Sequence, residues 1–190
     1  MNKEVSFPEL IELNINMMPI IMGNLDSIPN YAKQYEDMIE KCDFEKGTTV
    51  YLTVNESVVQ KGKTQRRPGI HTDGTNKAGW GGGGWGNKEG IYMASTDGRC
   101  KMWNCQTHDA DHLGEVSEPI TSGEIMKPNI LYWMTDRTPH ESLPALKTSM
   151  RQFFRLVSED IGIWYAQHST PNPLGIQPNC PVSLSNKFAT

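Results

Sequence analysis

The chain has 190 residues with a formal charge of −4, and 37 % of its residues are hydrophobic. This length is sufficient for a hydrophobic core, and we predict a single domain over residues 1–190. The mild acidity argues against sequence-independent nucleic-acid binding, so we do not expect a nucleic acid as partner. With 17 glycines and 12 prolines the chain has many turn residues, which favours short strands over a helical bundle.

The sequence also argues against a membrane span or a secreted protein. It contains no apolar run of the roughly 20 residues that a transmembrane helix needs, because Pro19 interrupts the apolar N-terminal stretch. We find no secretory signal, so we expect a cytoplasmic protein that does not associate with membranes. The 4 cysteines form no CxxC pair and are expected to remain reduced thiols in that compartment.

Residues 1–46 are expected to supply one strand and one helix that pack on the core. The stretch FPELIELNINMM alternates loosely between apolar and polar residues, which predicts the strand. The stretch SIPNYAKQYEDMIEKC predicts the helix, because Ser27 can cap it, Pro29 lies in its first turn and apolar residues recur at helical spacing.

Residues 47–158 have the composition of strands. The stretch TTVYLTVNESVV is rich in β-branched residues, NILYWMTD and MRQFFRLVS predict two further strands, and GIYMASTDGRCKMWNC predicts a hairpin. One helix followed by strands indicates a mainly β fold with helical decoration, as a sandwich or an open barrel. Residues 159–190 form a C-terminal extension that we expect to pack irregularly over the core or to be partly mobile.

The stretch RRPGIHTDGTN contains candidate metal ligands. It places His71 and Asp73 two residues apart, and in an extended chain both side chains would point to the same face. His140, which follows the apolar stretch NILYWMTD, offers a third ligand. Two histidines and one carboxylate, with open positions opposite them, are the ligand set of non-haem Fe(II) oxygenases. The alternative is a polar turn at His71 and a loop residue at His140.

A later strand candidate carries arginines on a buried face. With a period of two, Arg151, Phe153, Arg155 and Val157 share one face of MRQFFRLVS. A buried guanidinium needs a partner, because its desolvation is costly. A bound carboxylate is a natural partner, since arginine can donate two parallel hydrogen bonds to it.

This order of motifs, His-x-Asp, then a distal histidine, then an arginine, resembles the Fe(II)- and 2-oxoglutarate-dependent oxygenase superfamily. The resemblance covers residues 47–158 and implies a double-stranded β-helix (jelly-roll) core with the helix packed outside the sheet. It implies that His71, Asp73 and His140 hold Fe(II) and that 2-oxoglutarate is the co-substrate. The implied activity is that of a dioxygenase that hydroxylates a substrate and releases succinate and carbon dioxide.

The resemblance also implies an arginine that clamps the far carboxylate of 2-oxoglutarate. Arg151 is the first candidate, and Arg155 is its rival. Tyr51 and Thr53, on the strand before His71, are candidates to add a hydroxyl group to that carboxylate. Many members of the superfamily have a serine or threonine two residues after the clamp, whereas this chain has Phe153 there. The choice between the two arginines therefore stays open.

Three other stretches bear on the substrate. In AGWGGGGWG, four glycines between Trp80 and Trp85 indicate either a flexible lid over the substrate or a connection whose indoles pack on the surface. The basic stretch KGKTQRRP before His71 is either a solvated turn or an attractor for an anionic substrate. The stretch QTHDADHLGE is a polar loop, an accessory part of the pocket or a rival metal site, and its ligand-type residues are His108, Asp109, Asp111 and His112.

These observations lead to one expected function and two alternatives. We expect an Fe(II)- and 2-oxoglutarate-dependent hydroxylase acting on a small-molecule or peripheral substrate, with an anionic substrate among the possibilities. The first alternative is a cupin-like metalloenzyme that uses the same ligands without 2-oxoglutarate. The second is a non-catalytic β-sandwich binding module in which the His-x-Asp motif has no role.

Overall fold

The computed structural model describes residues 2–73, 90–107, 110–111, 114–117 and 122–186. Over these residues the chain is mainly β, with a short helix α1 at Glu36–Glu40 and 11 strands. The strands are β1 (Lys3–Glu4), β2 (Asn14–Ile21), β3 (Thr49–Val59), β4 (Ile91–Ser95), β5 (Cys100–Met102), β6 (Glu124–Ile125), β7 (Ile130–Met134), β8 (His140–Ser142), β9 (Ser149–Val157), β10 (Trp164–Tyr165) and β11 (Val182–Ser183).

The strands form one large and one small antiparallel sheet, with a separate parallel pair. The large sheet has the order β1-β7-β4-β9-β3-β2, and the small sheet has the order β6-β5-β8. Strands β10 and β11 pair in parallel. Strand β9 lies inside the large sheet between β3 and β4. The strands predicted from TTVYLTVNESVV, NILYWMTD and MRQFFRLVS are confirmed as β3, β7 and β9.

Each face of the large sheet is covered by a different part of the chain. On one face, Phe154 of β9 packs with Tyr35 and Met38 of the N-terminal helical segment. On the other face, Phe153 of β9 belongs to a cluster with Cys100 of the small sheet. The two sheets therefore enclose one apolar layer as a sandwich, and the helical segment covers the outer face of the large sheet.

The hairpin predicted from GIYMASTDGRCKMWNC is wrong. Strand β4 pairs with β7 and β9 in the large sheet, whereas β5 pairs with β6 and β8 in the small sheet. All residues of Ile91–Ser95 are buried, and both edges of β4 are occupied, so no edge remains for β5. Between β4 and β5, where the chain passes from the large sheet to the small sheet, the Asp97 side chain accepts a hydrogen bond of 3.2 Å from the Arg99 backbone nitrogen. The turn at Asp97, which was expected to close a hairpin, therefore connects the two sheets instead.

The predicted N-terminal helix is only partly present. Its first part consists of 3-10 turns at Leu25–Ser27 and Asn30–Tyr35, and only Glu36–Glu40 is α-helical. Ser27 does not cap a helix, because its buried hydroxyl donates to the Asn24 carbonyl at 2.6 Å and accepts from the backbone nitrogen of Ile21 at 2.9 Å. This contact with the end of β2 replaces the capping role that local sequence indicated.

The C-terminal segment packs on β2 with little regular structure, as its prolines indicated. The Asn172 side chain donates hydrogen bonds of 2.8 Å to the backbone carbonyls of both Pro19 and Ser27. The Trp164 indole donates to the Met17 carbonyl at 2.7 Å. These contacts satisfy buried backbone acceptors that the irregular end of β2 leaves unpaired.

Two further observations concern the cysteines and the helices. Cys42, Cys100, Cys105 and Cys180 all carry free thiols. In the described ranges, no helix has the length and the apolar character that crossing a membrane requires. The cytoplasmic location stays a prediction.

A buried carboxylate connects three parts of the fold. Glu56 of β3 is 4 % exposed and accepts hydrogen bonds from the backbone nitrogens of Ile11 at 2.9 Å and Leu13 at 3.0 Å. It also accepts from the Tyr35 hydroxyl at 2.6 Å and the Gln152 amide at 3.1 Å. Burial alone would raise the pKa of Glu56, but these hydrogen bonds outweigh it and hold that pKa below its ordinary value.

We expect Glu56→Ala to lower the free energy of unfolding by about 3 kcal/mol, because it leaves several buried donors without an acceptor. The exposed Glu40→Ala is the control and should change it by less than about 0.5 kcal/mol. Urea denaturation of the two variants and the wild type measures both values. Equal losses in the two variants would contradict the role of Glu56.

The same carboxylate predicts a pH dependence. Because the folded pKa is lowered, ionised Glu56 stabilises the fold above its unfolded pKa of about 4.3. That stabilisation is lost as the pH falls from there through the lower folded pKa. The stability difference between the wild type and Glu56→Gln should therefore shrink as the pH falls below about 4. A difference that is constant between neutral and acidic pH would contradict this expectation.

Candidate metal centre

A backbone bridge brings the two histidines of the predicted centre together. The His71 nitrogen donates to the His140 carbonyl at 3.0 Å, and the His140 nitrogen donates to the His71 carbonyl at 2.9 Å. A residue pair that exchanges both hydrogen bonds in this way has its side chains on the same face. The centres of the two imidazole rings are accordingly 4.5 Å apart.

Asp73 completes a group of three potential ligands. Its backbone nitrogen donates to the Asp136 carbonyl at 3.1 Å, which holds the chain next to the segment that leads to His140. One ligand atom each from His71, Asp73 and His140 lies within 4.8 Å of the other two. The structure therefore brings together all three ligands that the His-x-Asp spacing and the distal histidine indicated.

Backbone carbonyls fix how the two imidazoles present their nitrogens. The Nδ1 atom of His71 lies 2.8 Å from the Gly69 carbonyl oxygen, and that of His140 lies 3.0 Å from the Thr138 carbonyl oxygen. A carbonyl oxygen can only accept, so each Nδ1 carries a hydrogen, and Nε2 is the nitrogen that each ring can offer to a metal ion. This is how proteins orient histidines that bind metal ions.

The electrostatics of the group favour a metal cation. Burial, and secondly the nearby His140, lower the pKa of His71 to about 3, so its imidazole is neutral over the ordinary pH range. The Nε2 atom of His140 lies 3.9 Å from an Asp73 oxygen. Two imidazoles and one carboxylate are a ligand set that fits a divalent transition-metal ion, and the three residues form a candidate centre for one.

The three residues lie on the wall of an open cleft between the two sheets. Both sheets and the loop before His71 contribute to its lining. Apart from the potential ligands, the side chains that matter for its chemistry are Met93, Phe153, Arg155, Cys100, Arg66 and Arg67. The lining is therefore rich in arginine, although the whole chain is acidic.

The two arginines of β9 have different surroundings. Arg155 lines the cleft and is 6 % exposed, and its Nη1 donates to Asp73 at 3.2 Å. Its buried Nε has no hydrogen-bond partner. Arg151 lies in the same layer, but its Nε is 2.7 Å from an Asp97 oxygen and its Nη2 donates to the Cys100 sulfur at 3.1 Å. Arg155 therefore lies beside the centre and contacts one of its potential ligands, whereas Arg151 does not line the cleft and pairs with Asp97.

The two hydroxyl groups proposed beside the clamp do not line the cleft. The Tyr51 hydroxyl donates to the Asn179 side chain of the C-terminal segment at 2.5 Å. The Thr53 hydroxyl accepts from the Met17 backbone nitrogen at 3.1 Å. Their positions on β3 suggested the role, but partners from distant segments, which local sequence does not reveal, occupy both groups.

Some predicted functional residues lie outside the described residues. These are the lid residues Trp80 and Trp85 and, in the polar loop, His108, Asp109 and His112. Of that loop, Asp111 is described, and its carboxylate accepts a hydrogen bond of 2.8 Å from the Glu115 backbone nitrogen. Asp111 thus stabilises a local turn.

One part of the cleft lining comes from the basic stretch before His71, for which the sequence left two roles open. Arg66 and Arg67 both line it, whereas the neighbouring Lys61 and Lys63 are exposed. The signal was the basic stretch KGKTQRRP, for which a solvated turn was the more ordinary interpretation. Cys100 gave no signal, because it contacts Arg151 through a pairing of distant segments.

Comparisons with known proteins add no assignment. No protein-family model matches the chain, and no curated protein matches its sequence. What the chain does must therefore be inferred from its own residues and their geometry.

We expect His71→Ala, Asp73→Ala and His140→Ala each to weaken Fe(II) binding by about 100-fold or more, because each removes one of three ligands. His168→Ala is the control, because His168 contacts Asn186 at 2.7 Å, away from the centre. Anaerobic calorimetric titration measures the affinity, and thermal melting checks the fold. Unchanged Fe(II) affinity in folded variants of the three ligands would contradict the centre.

Proposed function

We propose that the protein is a non-haem Fe(II)- and 2-oxoglutarate-dependent oxygenase that hydroxylates its substrate and releases succinate and carbon dioxide. The observation that carries this proposal is the group His71, Asp73 and His140 beside Arg155 in one cleft. Three protein ligands of this kind leave positions open for a co-substrate and oxygen. An arginine beside them suits the second carboxylate of 2-oxoglutarate.

The proposal includes the fold of the superfamily, a double-stranded β-helix or jelly roll. The order of strands along the chain supports it, because β4, β7 and β9 belong to the large sheet while β5, β6 and β8 belong to the small one. The chain therefore crosses repeatedly between two facing antiparallel sheets, as a jelly roll does. The centre at His71 and His140 lies beside the small sheet, with β9 opposite.

The chain's own residues have separate tasks in this proposal. Fe(II), when bound, supplies the oxidation of the substrate by oxygen coupled to decarboxylation of 2-oxoglutarate. His71 and His140 hold the ion through Nε2, and the carbonyls of Gly69 and Thr138 orient their rings. The hydrogen bond from Arg155 orients the Asp73 carboxylate. The two sheets shield the reacting groups from water.

We assign the far carboxylate of 2-oxoglutarate to Arg155. Its side chain lines the cleft beside the three potential ligands, where a cation could pair with the far carboxylate of a chelated co-substrate. Arg151 is the weaker candidate, because Asp97 already neutralises it. Replacing Asp97 at that position would require the co-substrate to break an existing ion pair.

One observation favours the cupin-like alternative. Arg155 already has a carboxylate partner, because its Nη1 donates to Asp73 at 3.2 Å. In a metalloenzyme that uses the same three ligands without 2-oxoglutarate, Arg155 would serve only to orient Asp73. Binding of 2-oxoglutarate therefore separates the two functions. Binding of Fe(II) separates both from a non-catalytic binding module.

The test is an anaerobic titration with Fe(II) and then 2-oxoglutarate. We expect the weak visible charge-transfer band of a 2-keto acid chelated to ferrous iron, and we expect His140→Ala to lack it. Arg155→Gln should raise the 2-oxoglutarate concentration at half-saturation about tenfold or more, because it removes a charge-assisted hydrogen bond. Arg151→Gln is the matched control. It should lower the melting temperature but change the 2-oxoglutarate concentration at half-saturation very little.

Each other outcome has a definite meaning. Bound Fe(II) without the band would favour the cupin-like metalloenzyme. No Fe(II) binding would favour the binding module. A band that depends on Arg151 and not on Arg155 would return the clamp to Arg151.

A further inference from the structure

Arg66 is a cation in the cleft that the proposed chemistry leaves unused. It lies in the loop between β3 and His71 and lines the cleft on its solvent side, where it is partly exposed. Its guanidinium carbon is 5.2 Å from the centre of the Phe153 ring. Stacking on a ring fixes the plane of the guanidinium and leaves its N–H edges free.

Among the described residues, Arg66 differs from the neighbouring arginines in having no carboxylate within ion-pair distance, although the charge of Asp73 acts on it from further away. Arg67 pairs with Glu115 at 3.2 Å, Arg155 with Asp73 at 3.2 Å, and Arg151 with Asp97. In the described part of the chain, no carboxylate lies within ion-pair distance of Arg66. A largely desolvated guanidinium without a counter-ion is costly, and a bound anion removes that cost.

The charges around Arg66 also favour the binding of an anion there. Burial, and secondly the nearby charge of Arg155, lower the pKa of Arg66 to about 10. The side chain still carries its charge at neutral pH, and it does so close to other cations.

We propose that Arg66 is an anion subsite for the primary substrate, which is a small molecule that carries a carboxylate or phosphate group. The inference rests on the proposed function, which gives Arg155, at the buried end of the cleft, to 2-oxoglutarate. Arg66 is the more exposed of the two arginines and lines the same cleft. Its free edges offer an oxyanion a two-pronged hydrogen bond.

The experiment is a calorimetric titration with inorganic phosphate and, separately, with acetate. It uses the metal-free protein first and then the protein loaded anaerobically with Fe(II) and 2-oxoglutarate. Arg66→Gln should raise the Kd of the preferred anion about tenfold or more in both states, because it removes the charged donor. Arg66→Lys, which keeps the charge without the planar fork, should have an intermediate effect. Lys61→Gln is the control and should change the Kd less than about twofold.

The two probes also separate the sources of the anionic group. Tighter binding of phosphate that depends on Arg66 assigns a phosphorylated substrate, and tighter binding of acetate that depends on Arg66 assigns a carboxylate substrate. Either result supports the subsite. An equal Kd in the wild type, Arg66→Gln and Arg66→Lys, with the fold intact by thermal melting, would overturn it.

Failure of this inference can be distinguished from failure of the proposed function. Loss of 2-oxoglutarate affinity in Arg66→Gln, or displacement of the probe anion by 2-oxoglutarate, would make Arg66 part of the co-substrate site and overturn the substrate assignment. A wild-type protein that gives no charge-transfer band but binds the probe through Arg66 would overturn the oxygenase and leave the anion subsite in place.

Discussion

Two hydrogen bonds between the backbones of His71 and His140 are the constraint on which the candidate centre depends. They join segments that are far apart along the chain, and they set both imidazoles on one face at a ring separation of 4.5 Å. The same pairing extends the edge of the small sheet at β8. Side chains alternate between the two faces of an extended chain, so Asp73, two residues after His71, lies on the same face as the His71 imidazole. The cleft and its ligands are therefore consequences of sheet pairing.

Strand β9 connects this centre to the rest of the fold, because its two faces have different tasks. On the outer face, Gln152 joins the hydrogen-bond network of Glu56, which attaches the N-terminal segment to the large sheet. On the inner face, Arg151 and Arg155 enter the layer between the sheets on either side of Phe153. Buried polar groups in a stable fold have partners, and most groups along β9 follow that rule. Arg155 lines the cleft beside the candidate centre and contacts Asp73, so it is the arginine of β9 that a bound ligand could reach.

Charge is distributed unevenly between the cleft and the remainder of the protein. The chain has a formal charge of −4, yet arginines from β9 and from the loop before His71 surround the candidate centre. Asp73 and Glu115 compensate part of this charge, and Arg66 is left without a carboxylate in the described residues. A site of this kind attracts anions even though the whole protein does not. The 2-oxoglutarate assignment and the anionic substrate both follow from that local excess.

The sequence alone determined the mainly β character, the individual strands β3, β7 and β9, and the residues that meet at the centre. Those features depend on local chemistry: β-branched composition, side-chain alternation and the ligand types at the His-x-Asp spacing. Tertiary structure decided which strands pair, so the turn at Asp97 became a corner between sheets and Ser27 bonded to β2 instead of capping a helix. It also decided that Asp97 neutralises Arg151 while Arg155 and Arg66 line the cleft. Partners of buried charges come from distant segments, and no local pattern specifies them.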